Sequence, residues 1–245
     1  GRFMSVTVSL DAAGRYFATF LCTDVPTKNT PATDREVGID LGVETLATLS
    51  DGRKIGNPRH LKKYERKLAR EQRRLSRRKG ARRDEKPSDR YLKQRKRVAR
   101  IHAKIADART DALHKVTTML ADENQVLCME DLNAKGMVRN HHLAKAVSDA
   151  SFGEFARLLE YKCAERGRTL VKVGRFYPSS KTCSACGHRL DALPLSVRVW
   201  DCPACGAHHD RDVNAARNIL AEGKRVLSNT EGTAGHAGTV AAVPA

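Results

Sequence analysis

Cys183-Ser184-Ala185-Cys186-Gly187, then thirteen residues, then Asp201-Cys202-Pro203-Ala204-Cys205-Gly206 and, two residues on, His209-Asp210-Arg211-Asp212-Val213-Asn214-Ala215-Ala216-Arg217-Asn218-Ile219, is the stretch on which the rest of the chain is organised. Two Cys-x-x-Cys-Gly units at this spacing are the signature of a four-cysteine zinc ribbon with Cys183, Cys186, Cys202 and Cys205 as ligands. Each glycine allows the turn to fold back so that backbone N–H groups face sulfur. His188, His208 and His209 are possible substitutes, but a complete cysteine set leaves no vacancy. Redox-active or merely buried thiols are the plainer alternative, and the paired spacing disfavours it. An acidic run follows the last cysteine directly, so a metal-folded module of residues 177–209 holds an acid in place.

Working outward, the other cysteines, Cys22, Cys128 and Cys163, stand singly in apolar surroundings. That usage predicts a reducing cytoplasm, with metal rather than disulfides. The 245 residues carry a net charge of +17, which favours a polyanionic partner, nucleic acid before membrane. No apolar run is long enough for a membrane span. Aromatic residues make up only 5%, which argues against base stacking as the main mode of binding.

Residues 1–24 alternate around a turn at Asp11-Ala12-Ala13-Gly14 and predict a β-hairpin. The chain opens at Gly1 in what reads as the middle of a sheet, so an N-terminally incomplete chain is expected. Residues 25–35 read as a linker. Residues 36–56 form a second β unit, with Asp40 set in Gly38-Ile39-Asp40-Leu41-Gly42. This aspartate either caps a turn or is a metal-binding carboxylate at the end of a central strand, with Gly38 and Gly42 leaving room for a ligand.

Residues 59–122 predict a basic helical hairpin. Leu61, Leu68 and Leu75, joined by Tyr64, form one seam; Tyr91, Val98, Ile105, Ala112 and Met119, joined by Ile101 and Ala108, form the other. Between Arg59 and Lys104 lie 21 Lys/Arg against 5 Asp/Glu. The imbalance is too one-sided for salt-bridge lacing of a solvated face. It predicts a phosphate-backbone surface that includes Lys62, Lys63, Arg66, Lys67, Arg70, Arg73, Arg74, Arg77, Arg78, Arg95 and Lys96.

Gln125 to Leu132 is an apolar strand ending in Glu130 and Asp131. His141 and His142 follow in a polar loop, better suited to nucleic-acid contact than to metal. Phe152 to Arg166 is an amphipathic helix ended by Gly167, and Thr169 to Phe176 is a third strand. Within the ribbon a strand is expected around Val197, Val199 and Trp200. A last helix spans 210–222, and residues 223–245 read as disordered.

Asp40, Glu130 and Asp212 are therefore carried on two strand ends and one helix start. That order of elements is how an RNase H-like (RuvC-like) α/β fold with a mixed sheet assembles an acidic site. Clustered carboxylates repel, so such a site is stable mainly with bound cations. Two Mg²⁺ ions sharing an aspartate could activate water and stabilise a leaving 3′ oxygen.

Gly38 to Gly42, Met129-Glu130-Asp131-Leu132, Pro178-Ser179-Ser180-Lys181-Thr182-Cys183 and Asp210 to Ile219 together resemble the TnpB (OrfB-type) transposases of insertion sequences, relatives of the type V CRISPR effectors. The resemblance runs from about residue 1 to 222. It implies a RuvC-like nuclease core (36–176) interrupted by the ribbon, and RNA-guided, Mg²⁺-dependent cleavage of DNA. The implied partners are a guide RNA and a DNA target, and the implied place is the cytoplasm, at the nucleoid when bound to DNA. By motif position Asp40, Glu130 and Asp212 would be catalytic and would hold magnesium, with Asp210 and Asp131 as rivals to the last two. The family's front domain would be represented only by its final barrel hairpin. Two other readings stay open: a binding module without catalysis, and a strand-transferring transposase. Tyr161 and Tyr177 read as packing residues, which gives no tyrosine for covalent attachment to DNA.

Overall fold

The computed structural model describes residues 1–26, 30–78, 86–141 and 143–232. His142 and residues 233–245, about which the sequence made predictions, lie outside the described residues. The chain divides into two compact units, one of residues 1–27 and 59–112 and one of residues 28–58 and 113–245.

In the first unit, β1 (Arg2–Leu10) and β2 (Tyr16–Thr23) pair antiparallel. Gly14, at φ 80°, allows the tight return between them. Asp11 holds the turn by accepting from the backbone and guanidinium of Arg15, at 2.8 and 2.7 Å. The helices are α1 (His60–Arg77) and the first part of α2 (Asp89–Glu123). Their seam is the expected one: Leu61, Tyr64, Leu68 and Leu75 pack with Val98, Ile101 and Ile105. Tyr64 lies beside Lys104, Glu71 beside Gln94, and Arg78 beside Gln94 and Arg90, so the helices run antiparallel. Heptad counting does not reveal the polar layer inside this seam. Buried Glu71 accepts from Gln94 Nε2 at 2.8 Å and pairs with Arg74 at 3.0 Å. Burial of a carboxylate requires such partners.

The second unit is built on a five-stranded mixed sheet of order β5-β4-β3-β6-β7. The strands are β3 (Glu36–Leu41), β4 (Thr45–Leu49), β5 (Lys54–Gly56), β6 (Val126–Glu130) and β7 (Thr169–Val173). β3, β6 and β7 are parallel, while β4 and β5 return antiparallel. Side chains alternate across the sheet. Val37, Ile39, Leu127 and Met129 face a core with Leu113 and Leu120 of α2 and Phe155, Leu158 and Leu159 of α5 (Phe152–Glu165). Cys128, Val171 and Val173 face the other way, onto Ile219 of α6 (Arg211–Gly232). The sheet is thus covered on both faces, as parallel strands require. Two short helices, α3 (Ala134–Arg139) and α4 (Ala144–Ala150), follow β6.

Three expectations need correction. The third strand ends at Val173 rather than Phe176: Tyr177 N–H bonds to Gly174 O in a turn, and Phe176 is 92% exposed. The last helix runs ten residues past 222, to Gly232, where disorder was expected. Its extension is amphipathic, and Val226 and Leu227 pack against the cluster of Cys128, Val171 and Ile219. Gly223 does not stop the helix but permits close approach, since a Cβ there would lie 2.3 Å from Cys128 Sγ. Nor do the glycines flanking Asp40 make room for a ligand. A Cβ on Gly38 would lie 2.0 Å from the carbonyl oxygen of Ala216, and one on Gly42 2.8 Å from that of Thr45. Gly38 is what lets α6 lie directly on β3.

Candidate active site

Sheet register brings the first two acids together. Ile39 is paired with Met129 across β3 and β6, so Asp40 and Glu130 are the next residues along two adjacent parallel strands. By alternation they point to the face covered by α6. The contact at Gly38 fixes α6 at Ala216, and Asp212 lies one turn earlier, in the first turn of that helix. Asp40 feels all of this. Burial, then the charge of Glu130, then that of Asp212 push its carboxyl up to about 8, with Arg211 partly opposing. Among the described residues no hydrogen bond reaches the Asp40 carboxylate, which is not the pattern of a turn cap. Burial also raises Glu130, against a bond from the Ser179 hydroxyl at 2.5 Å.

The rival acids have other occupations. Asp210 Oδ1 accepts from the backbone N–H groups of Asp212 and Val213, at 3.1 and 3.0 Å, and its Oδ2 meets Lys54 at 2.7 Å. It is the N-cap of α6. Hydrogen bonding and Lys54 hold its carboxyl below the usual range despite burial. Asp131 is exposed and pairs with Arg175 at 3.2 Å. Arg198 lies 3.6 Å from Asp212 and 3.2 Å from Glu44, at the rim of the site.

The four ribbon cysteines converge. Their sulfurs all lie within 4.8 Å of one another, with Cys183–Cys205 at 3.8 Å and Cys186–Cys202 at 3.6 Å. Tetrahedral zinc with Zn–S near 2.3 Å requires sulfurs about 3.8 Å apart, so the set fits and could hold zinc. Gly187 and Gly206, at φ 80° and 71°, close the two turns onto Cys183 O and Cys202 O. Backbone N–H groups of His188 and Ala207 face Cys186 and Cys205. β8 (Val199–Asp201) and β9 (His208–Asp210) pair antiparallel on either side of the second turn, and β9 leads into α6. His209 is buried between Trp200 and Cys183 Sγ, with Nε2 at 3.0 Å from the sulfur. It lines the cluster rather than replacing a ligand.

Cys128 and Cys163 are buried in the cores, where desolvation pushes both thiols up to about 12. The predicted phosphate-contact cations Lys62, Lys63, Arg66, Lys67, Arg70, Arg73, Arg74, Arg77, Arg78, Arg95 and Lys96 are all exposed. Arg70 and Arg74 also pair with Glu71, and Arg78 bonds to Gln94. Sequence reasoning gave no site role to Ser179, Asn214 and Asn218, although all three lie within the motifs quoted for the resemblance. What marks them is burial and hydrogen bonding, Ser179 to Glu130 and the asparagines to the turn before the first knuckle.

A family model described as "Probable transposase" (OrfB_IS605) matches residues 20–141, and the Cas12f1-like TNB domain matches residues 152–219. A relative from Streptomyces pristinaespiralis, named as an RNA-guided DNA endonuclease, is 51% identical over 219 residues, covering 89% of this chain and 52% of its own length. InsQ of Escherichia coli K12, similarly named, is 35% identical over 243 residues, covering 93% of this chain and 58% of its own. The chain thus spans about half the length of these relatives. A solved structure of a Cas12f1–sgRNA–target DNA complex has a similar fold, with TM-score 0.52 at 19% identity over 88% of this chain and 55% of that one. Family models whose matched ranges together take in Asp40, Glu130 and Asp212, and relatives matched along nearly the whole chain, place it in the OrfB (TnpB-type) transposase family of insertion sequences.

Proposed function

We propose that this chain carries the RuvC-like nuclease site of an RNA-guided DNA endonuclease, with Asp40, Glu130 and Asp212 as its catalytic carboxylates. The observation that carries the proposal is the convergence of the three acids: Asp40 and Glu130 end adjacent parallel strands, and Asp212 lies in the first turn of the helix that packs on Gly38, so that both other charges bear on Asp40. A carboxylate so placed is poorly neutralised by the protein itself. Hard oxygen donors in a cluster suit Mg²⁺. Divalent cations held there would supply the Lewis acidity that activates water and stabilises the leaving 3′ oxygen.

Each residue has a separate task in this reading. Asp40, at the end of the central strand and between the other two, would be the shared ligand. Asp212, carried on α6, would complete the cation site. Glu130, on the neighbouring strand, would be a further ligand of the cation site and would orient the attacking water. Asp210 would act only by capping α6. The exposed cations of α1 and α2 would bind phosphates of a guide–target heteroduplex without reading sequence. The ribbon zinc would be structural, since four thiolates leave it no open position.

The direct test is DNA cleavage programmed by an RNA transcribed from the end of the element. Asp40→Ala, Glu130→Ala and Asp212→Ala should each abolish metal-dependent cutting with zinc content unchanged. Cutting retained by any of them removes that residue from the triad.

A further inference from the structure

Glu130 has a long side chain beside two other acids, and something must hold it toward them. The nearest candidate lies in the turn that leads into the ribbon. Ser179 is 7% exposed, and its hydroxyl donates to Glu130 Oε1 at 2.5 Å. A hydroxyl on an ionised carboxylate gives a short, strong bond, and it engages one oxygen while leaving the other available.

The serine is itself held. Its carbonyl accepts from Asn218 Nδ2 at 2.7 Å, and the same nitrogen donates to Thr182 O at 2.6 Å. Asn214 Nδ2 donates to Thr182 O at 2.7 Å, and its Oδ1 accepts from Ser184 N–H at 2.9 Å. Both asparagines are buried, 1% and 5% exposed. They lie on α6 one turn apart, two and six residues beyond Asp212. Thr182 N–H and its hydroxyl close the turn onto Pro178 O. The turn from Pro178 to Ser184 is therefore bonded to the helix that carries Asp212 and delivers a hydroxyl to Glu130.

We infer that Ser179 is the positioning residue for Glu130, and that Asn214 and Asn218 hold it in place so that one helix sets two of the three carboxylates. The inference rests on the triad proposed above. It also changes the ribbon's part: its first knuckle bears on Glu130 through Ser179, while its last strand leads into Asp212.

The test is Mn²⁺ binding to the zinc-loaded chain, followed by electron paramagnetic resonance, which needs neither guide nor substrate. Outer-shell partners of metal ligands usually contribute about 10- to 100-fold in affinity. Ser179→Ala should weaken Mn²⁺ binding by about that factor, with zinc content and thermal midpoint close to those of the parent. Ser179→Thr, which restores the hydroxyl, should recover most of the affinity. Glu130→Gln and Asp40→Asn should lose the site. If Ser179→Ala binds like the parent while Glu130→Gln does not, Ser179 has no positioning role and the triad stands. If Ser179→Thr is as weak as Ser179→Ala, the hydroxyl is not the cause and the inference fails. If neither Glu130→Gln nor Asp40→Asn alters binding, the triad fails and the inference with it.

Discussion

Replacing Asp40 by asparagine should make the metal-free protein more stable at pH 8, an unusual outcome for a buried residue at a candidate active site. The carboxyl titrates near 8 in the fold instead of near 3.8. The folded chain therefore keeps a proton that the unfolded chain releases, and as pH rises through this window the fold loses stability. At about 1.4 kcal/mol per tenfold change in proton affinity, the ceiling at pH 8 is ~5 kcal/mol. The sheet end is only half-buried, and water there screens part of the repulsion, so a gain of about 2 kcal/mol is expected. Asparagine keeps the shape and removes the charge. Urea unfolding in Mg²⁺-free buffer, without a zinc chelator, should show variant and parent equal near pH 4 and separating toward pH 8. Excess Mg²⁺ should then stabilise the parent and not the variant, closing the gap. A variant no more stable than the parent at pH 8, or a gap independent of pH, would refute the electrostatic reasoning.

Asp210→Ala removes the acceptor of two N–H groups at the start of α6, together with the Lys54 pair. It should lower stability by about 1 kcal/mol and leave measurable cleavage. Asp212→Ala should leave the urea midpoint nearly unchanged and abolish cleavage; the reverse pattern would exchange their roles. Gly38→Ala places a Cβ 2.0 Å from Ala216 O, so α6 must move. Urea unfolding should show a loss of about 3 kcal/mol, and cleavage should fall because Asp212 moves with the helix. Cys183→Ser should lose the zinc measured by elemental analysis and open residues 183–210 to protease, since a structural zinc site is stabilised by its metal.

Part of this arrangement was legible because it is local. Two Cys-x-x-Cys-Gly turns imply a metal site, as bringing one thiolate beside the next needs only a single tight turn of chain closed by a glycine. The helical seam was legible for a similar reason: Leu61, Leu68 and Leu75 recur at the period that brings them to one side of a helix. The buried Glu71–Gln94 layer was not, because a glutamate in a basic helix looks solvated until its partner is known. The end of α6 was not legible either: residues from 223 onward read as disordered by composition, yet Gly223 is where the helix passes over Cys128.

The sequence alone determined the four thiolates, the two acid-tipped strands and the basic helices, because each is encoded by spacing within a few turns of chain. Motif position already favoured Asp212 over Asp210; what the tertiary structure adds is the physical difference between them. The two acids are two residues apart on one motif, and the difference lies in what the helix start demands: its free N–H groups and Lys54 occupy one carboxylate, while the other is left beside Asp40. The same holds for Ser179, whose role depends on a glutamate 49 residues earlier and two asparagines more than thirty residues later. Such contacts arise from sheet register and helix docking, which no local pattern specifies.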